Sequence, residues 1–119
     1  MIRILPIEPD RLAALCREKE IDPGDAPLRG YAAADGEETL GWCLAADGEP
    51  CLILGAEAED PQVGDGLLRA VLFPFYEAGR KNYRFARPHK GPLPAGYALA
   101  GEGSLDELFT PCSERRKNP

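Results

Sequence analysis

Apolar residues form several short runs in this chain and recur at helical spacing in two longer segments. Short apolar runs bounded by Gly, Pro, Asn or Asp indicate strands, whereas recurrence every three or four residues indicates an amphipathic helix. The first half therefore contains a strand at residues 2–5 and a helix that begins near Pro9 and ends by Asp22. Three further strands follow, at residues 28–34, 39–46 and 50–57.

The last two of these strands are joined by Asp47-Gly48, which is typical of a two-residue hairpin turn because both positions tolerate positive φ. That turn predicts Cys43 opposite Leu52 and Cys51 opposite Leu44. The two cysteines would then lie on opposite faces of the sheet, since side chains alternate along a strand. We therefore expect no disulfide between them.

The longest helical pattern covers residues 61–78, with an apolar surface so broad that the helix should be mostly buried. Pro74 lies inside it. A proline in a helix interior removes one hydrogen bond and costs about 3 kcal/mol. We expect either a kink there or a helix that stops early and restarts.

The second half continues with a strand at residues 82–87 and a loop at residues 88–96, which is rich in proline and glycine. Residues 97–100 are a candidate last strand, and Ser104 can cap a short helix at residues 105–109. A meander of strands between two helices predicts an α+β (mixed α/β) fold, with a mostly antiparallel central sheet flanked by helices.

The chain has 119 residues, the size of one domain, with a formal net charge of −6. We expect a single domain over residues 1–110 and a polar tail over residues 111–119. The acidic balance argues against nucleic acid and anionic membranes as general partners. There is no apolar run of membrane length and no signal-peptide pattern, so a cytoplasmic location is expected.

Four cysteines are present, at positions 16, 43, 51 and 112, and none forms a C-x-x-C pair. Their spacing does not favour a zinc site, and no metal is expected. Cys112 could be reactive if it were exposed beside Arg115 and Arg116, or could be a simple free thiol.

Two features of the chain resemble the GNAT acyltransferase superfamily. One is the order of elements, and the other is the run Leu52-Ile53-Leu54-Gly55 followed by Gly64-Asp65-Gly66-Leu67-Leu68. The chain is also similar to short bacterial GNAT-like proteins that end in a short helix and a cysteine. In the superfamily an apolar strand enters a loop of the form R/Q-x-x-G-x-G/A, whose N–H groups bind the pyrophosphate of acetyl-CoA at a helix N-terminus. The resemblance implies acetyl-CoA as cofactor and a small amine as acceptor.

The segment 57–66 departs from that loop in charge and in sequence. Only Gly64 of the motif remains, and Glu57, Glu59, Asp60 and Asp65 place four carboxylates in ten residues without a base. Asp60-Pro61 is typical of an N-cap followed by proline at the first helical position. An aspartate cap would occupy the N–H groups that would otherwise hold phosphate.

The candidate site residues follow from the resemblance. For cofactor binding they are Val63, Gly64, Asp65, Gly66 and Arg84, the last from a basic stretch at residues 80–90 that could contact phosphates or simply face solvent.

There are two catalytic candidates. Glu57 could act as a base, or it could be an ordinary carboxylate at the end of a strand. Tyr97 could act as a general acid, or its ring could serve packing. His89, the only histidine, stands in a Pro/Gly loop, where exposure is the more common role. Tyr31, Trp42, Cys43 and Phe85 are expected in the core rather than in a pocket.

Two functions remain open at this point. One is an acyl-CoA-dependent N-acetyltransferase with an eroded pyrophosphate loop. The other is a non-catalytic binding or interaction module that keeps the GNAT fold, for which an exposed sheet edge or helix face could serve a homodimer.

Overall fold

The computed structural model describes residues 1–110. This part of the chain forms six strands and three helices. In order they are β1 (Ile2–Pro6), α1 (Pro9–Glu18), β2 (Leu28–Asp35), β3 (Glu38–Ala46), β4 (Cys51–Ala58), α2 (Pro61–Glu77), β5 (Asn82–Phe85), β6 (Glu102–Ser104) and α3 (Leu105–Phe109). The predicted order and the α+β class are confirmed. The predicted tail and Cys112 lie outside the described residues.

The strands form one sheet in the order β1-β2-β3-β4-β5-β6. Every neighbouring pair is antiparallel except β4 and β5, which are parallel and joined through α2. A parallel pair needs such a crossover, whereas an antiparallel pair can be joined by a short turn, as β2–β3 and β3–β4 are here. The expectation of a mostly antiparallel sheet is therefore confirmed.

The two faces of the sheet carry separate cores. On one face α2 and α3 pack over a large cluster that includes Cys43, Ile53, Leu68 and Tyr83. On the other face α1 packs over a smaller cluster, whose buried members are Leu12, Cys16, Ile21, Trp42 and Leu44. We call these the α2 side and the α1 side. Of the four residues expected in the core, Trp42 and Cys43 are buried, and Tyr31 and Phe85 pack against the larger cluster while partly exposed.

The predicted register of the β3–β4 hairpin is wrong. Ala46 pairs with Leu52, and a bulge near Leu44 shifts Cys43 opposite Ala56. The turn residues bond to other elements instead of closing a tight hairpin. The Asp47 carboxylate accepts from Arg80 at 2.9 Å and 3.2 Å, and the Glu49 carboxylate accepts from the N–H groups of residues 81 and 82.

Cys43 and Cys51 consequently both belong to the α2-side cluster, not to opposite faces as the tight turn predicted. The pairing nevertheless places Cys43 beside Ala56, five positions further along β4 than Cys51. Five positions on a strand span about 16 Å, too far for a disulfide. Both thiols are free.

The predicted last strand at residues 97–100 is also wrong, because β6 lies at Glu102–Ser104. The Ala98 N–H donates to the buried Tyr83 hydroxyl at 2.9 Å instead of joining a ladder.

Pro74 lies inside α2, which runs unbroken from Pro61 to Glu77, so the helix does not stop and restart. The α3 prediction is confirmed, with the Ser104 hydroxyl accepting from the Glu107 N–H at 3.3 Å.

Candidate functional site

The N-terminus of α2 is closed by its own cap. The Asp60 carboxylate accepts hydrogen bonds from the N–H groups of Gln62 at 2.7 Å and Val63 at 3.4 Å. Asp60 is extended and Pro61 follows it in the first helical turn, the arrangement the sequence predicted. The carboxylate therefore takes both the donors and the favourable end of the helix dipole.

The glycines of the predicted phosphate loop lie within α2 and serve close packing. A methyl group on Gly64 would come within 3.0 Å of Leu93 and 3.3 Å of the His89 ring. A methyl group on Gly66 would come within 2.7 Å of Ile4 on β1. His89 and Leu93 thus cover the first turn of the helix, and Val63 is buried in the α2-side cluster.

The segment at residues 86–93, which we call the strap, continues along the edge of β4 after β5 ends. Ala86 N–H donates to the Ile53 carbonyl at 2.9 Å, and Lys90 N–H donates to the Ala56 carbonyl at 3.0 Å. The Ala58 N–H returns a bond to the Lys90 carbonyl at 3.0 Å. The edge groups of β4 are therefore used by the chain itself.

Gly91 allows the strap to approach β4 this closely. Its φ is +108°, and a Cβ built on it would lie 1.9 Å from the Ala58 carbonyl oxygen. No other residue type could occupy this position without moving one of the two segments.

Arg84 lies away from the other predicted cofactor residues. It pairs with Leu52 at the beginning of β4, whereas α2 starts after the end of that strand. Its neighbours Tyr83 and Phe85 face the α2 side, so alternation puts Arg84 on the α1 side. The structure does not bring Arg84 together with Gly64.

Tyr97 belongs to a network on the α2 side. Its hydroxyl donates to the Asp65 carboxylate at 2.6 Å, and Asp65 also accepts from Arg69 at 3.0 Å. Burial, together with the hydrogen bond to Asp65, raises the pKa of Tyr97 far above its ordinary value. The Tyr97 phenol is therefore neutral at physiological pH. Arg69 also donates to the Leu108 carbonyl at 2.6 Å, so this network connects α2 to α3.

Glu57 is held on the α1 side by three donors. One carboxylate oxygen accepts from the Trp42 indole N–H at 2.5 Å and lies 3.2 Å from the Lys19 ammonium. The other oxygen lies 3.3 Å from the Lys90 ammonium. Partial burial by itself would raise the pKa of Glu57, but the three hydrogen bonds outweigh it and the pKa lies below its ordinary value. The two catalytic candidates, Glu57 and Tyr97, therefore lie on different sides of the sheet.

Two other basic side chains of the stretch 80–90 stabilise the fold. Arg80 forms the paired contacts with Asp47 given above. The Arg87 guanidinium donates to the carbonyls of Lys19 at 3.0 Å and Glu20 at 3.1 Å, just beyond the end of α1. A cation at a helix C-terminus satisfies free carbonyls and complements the dipole. His89 lies 3.1 Å from the Gly91 carbonyl through Nδ1.

The Glu57 cluster forms the wall of a small cleft of about 210 Å³ between the end of α1, Trp42, Glu57 and the strap. A larger groove of about 1500 Å³ lies next to it along α1 and strands β1 to β3, and shares Trp42 and Glu57 with it. We call it the α1-side groove. Lys19 and Trp42, as partners of Glu57, were missed from the sequence. Nothing in their spacing marks them, because three separate elements bring them together.

Within residues 1–110 no group of His, Cys, Asp or Glu side chains could hold a metal ion. Among the helices described, none has the length and apolar character needed to cross a membrane. Comparison with known proteins gave no match to a protein-family model, to a curated protein or to a solved structure.

Proposed function

We propose that this chain is a non-catalytic binding module built on a GNAT-like frame. The observation that carries the proposal is that its own residues fill the space at the start of α2. That is where the resemblance would place the pyrophosphate of acetyl-CoA.

Three features of this region oppose an anionic ligand: a self-capped helix end, negative charge and a covered backbone. Asp60 uses the N–H groups that a phosphate would need, and its charge, together with that of Glu59, would repel one. His89 and Leu93 cover Gly64, which removes the open approach to the backbone.

The strap blocks the edge of β4, next to the start of α2. A ligand inserted beside β4 would need the Ala56 carbonyl and the Ala58 N–H, and both are bonded to Lys90. Opening this edge would break these hydrogen bonds and lift Gly91 from its close contact with Ala58. Each exposed backbone bond contributes only about 0.5–1.5 kcal/mol, but the strap must release them together.

The GNAT-like frame itself is supported by topology. The resemblance predicted a strand entering a long helix that returns to the sheet, and β4, α2 and β5 have this arrangement, with the one parallel pair in the described sheet. A frame of this kind hosts many functions, so the site decides between them.

A weak N-acyltransferase is the second candidate, favoured by the position of the Glu57 cleft. The cleft lies beside the last residues of β4 and against the residues that follow β5. It is thus close to the carboxyl ends of the two parallel strands, where open sheets commonly bind ligands. Against it, both carboxylate oxygens of Glu57 are already taken by Trp42, Lys19 and Lys90. Despite partial burial, these partners lower the pKa of Glu57, which makes it a weaker base for a substrate amine.

Calorimetric titration with acetyl-CoA and with free CoA tests the proposal. We expect no binding heat up to about 1 mM ligand, a concentration that half-fills even a site with a Kd of about 1 mM. An active N-acetyltransferase serves as the positive control for the ligand stocks.

Binding in the micromolar range, with acetyl transfer to an added amine detected by mass spectrometry, would overturn the proposal in favour of the enzyme. Arg84→Ala is the matched control, because Arg84 lies away from the start of α2 and its loss should leave any such binding unchanged.

A further inference from the structure

The α1-side groove is a broad concavity that the α2-side core leaves open. It is lined by α1, by β1 to β3, and by the end of β4 as far as Asp60 and Val63. Helix α1 has only ten residues and packs over Leu44 and Ile21. Among the helices of residues 1–110, none is therefore seen above the part of this face between Trp42 and the start of β3.

The surface of the groove is partly apolar. Leu5 is 55% exposed and lines the groove with Leu15, Ala32, Ala34 and the buried Trp42. Because Ala32 and Ala34 on β2 are small, the floor of the groove lies close to the backbone of the sheet. A floor of this kind suits a chain that lies along it and contacts Leu5 and Trp42 with apolar atoms.

Acidic groups outnumber basic ones around this floor. Seven acidic and four basic side chains line the groove, within a chain of net charge −6. Glu38, at the start of β3, and Glu59, just after the end of the antiparallel strand β4, lie at the same end of this strand pair. Both are exposed and make no ion pair within residues 1–110. Such a field attracts cationic partners and repels nucleic acid, anionic membranes and further acidic chains.

The inner end of the groove already holds ammonium groups from the chain itself. The Lys90 ammonium lies 3.3 Å from Glu57 although its side chain is 72% exposed, and the Lys19 ammonium lies 3.2 Å from the same carboxylate. Lys19 also lies 5.7 Å above the Trp42 ring. The carboxylate and the indole are thus arranged to bind an ammonium group.

We propose that the α1-side groove docks an extended, lysine-containing basic segment of another polypeptide, with apolar contacts to Leu5 and Trp42 and with Glu38 and Glu59 as rim charges. This rests on the proposed function, since it names the partner class of the binding module. The occupant is held without covalent change.

A synthetic peptide of four Lys-Ala repeats, blocked at both ends, is a suitable probe. Extended, its eight residues span about 26 Å, which is less than the 35 Å second dimension of the molecule. Trp42 is the only tryptophan, so its fluorescence reports occupancy of the groove directly. A peptide of four Glu-Ala repeats is the charge-reversed control. We expect the lysine peptide to bind and to change Trp42 emission, and the glutamate peptide to do neither.

Two double variants with the same net charge distinguish docking of the peptide in the groove from attraction of the peptide to the overall negative charge. Glu38→Gln with Glu59→Gln removes two carboxylates from the rim. Glu77→Gln with Glu102→Gln removes two exposed carboxylates that do not line the groove. In 50 mM salt we expect the first pair to weaken lysine-peptide binding about five-fold and the second less than about two-fold.

Equal weakening by the two pairs would overturn the proposal, because net charge alone would then explain the binding. Absence of binding at about 1 mM peptide, or binding that leaves Trp42 emission unchanged, would overturn it as well. Adding acetyl-CoA to the bound peptide separates the docking proposal from the proposal that the chain is non-catalytic. An acetylated peptide would support docking in the groove while overturning the non-catalytic function, whereas an unmodified bound peptide supports both.

Discussion

The two sides of the sheet differ in how much of their surface the rest of the chain covers. On the α2 side sixteen buried residues form one continuous core under α2 and α3, whereas the α1-side cluster has five. The α2 side is closed at its end by Asp60 and the strap, and the α1 side carries an open groove beside Glu57. Most of the buried apolar surface of this small domain therefore lies on the α2 side, whereas much of the α1 side stays exposed.

The largest contrast should come from matched leucine truncations. Leu68 is fully buried on the α2 side and Leu5 is 55% exposed in the groove. Leu68→Ala should lower the free energy of unfolding by about 2–5 kcal/mol, because it leaves a cavity in a packed core. Leu5→Ala should lower it by less than about 1 kcal/mol. Urea denaturation followed by circular dichroism measures both, and similar losses would remove the distinction between the faces.

Next in size is the contact between the strap and β4. Gly91→Ala forces a Cβ against the Ala58 carbonyl and should cost about 2–4 kcal/mol. Gly96→Ala is the control, since Gly96 has a similar φ of +113° but no neighbouring atom within 4 Å. Its cost should be only about 1–2 kcal/mol of backbone strain. Thermal melting compares the two, and equal shifts would show that the strap does not press on β4.

The helix cap should have a smaller effect. Asp60→Ala removes the acceptor for the N–H groups of Gln62 and Val63 and should cost about 1 kcal/mol. Asp60→Asn keeps an N-cap acceptor and should leave stability nearly unchanged, because the two residues are about equally good there. If both variants unfold like the wild type, the N-terminus of α2 is not closed by Asp60.

The smallest effect concerns Glu57 on the open side. Its pKa lies below the ordinary value because the hydrogen bonds from Trp42, Lys19 and Lys90 outweigh partial burial. A carboxyl with a depressed folded-state pKa stabilises the fold above the unfolded-state pKa and loses this contribution as the pH falls through the folded-state pKa. Glu57→Gln should therefore cost about 0.5–1 kcal/mol at neutral pH.

The difference between wild type and Glu57→Gln should shrink as the pH falls from about 5 towards 3. Denaturation curves across that range measure it. A difference that stays constant with pH would mean that the ionised carboxylate does not stabilise the cluster.

The order and type of the elements could be predicted from the sequence because they depend on local patterns. The apolar spacing of α2, the Asp60-Pro61 start and the Ser104 cap of α3 are properties of neighbouring residues. The register of the β3–β4 hairpin could not be predicted, because Arg80 and the backbone of residues 81 and 82 hold the turn from another strand. The strand expected at residues 97–100 fails for the same reason, since Tyr83 takes the Ala98 N–H.

The features of the candidate site also fall into those that local sequence predicts and those that depend on distant contacts. The acidic charge of segment 57–66 and the ability of Asp60 to cap α2 can be read from the sequence, because both depend on residues next to one another. Three other features of the site are visible only in the folded chain. His89 and Leu93 cover Gly64, Arg84 lies on the opposite face of the sheet from α2, and Lys19 and Trp42 contact Glu57. These contacts join residues far apart in the chain, and side-chain packing across the sheet, which no local pattern encodes, sets their distances.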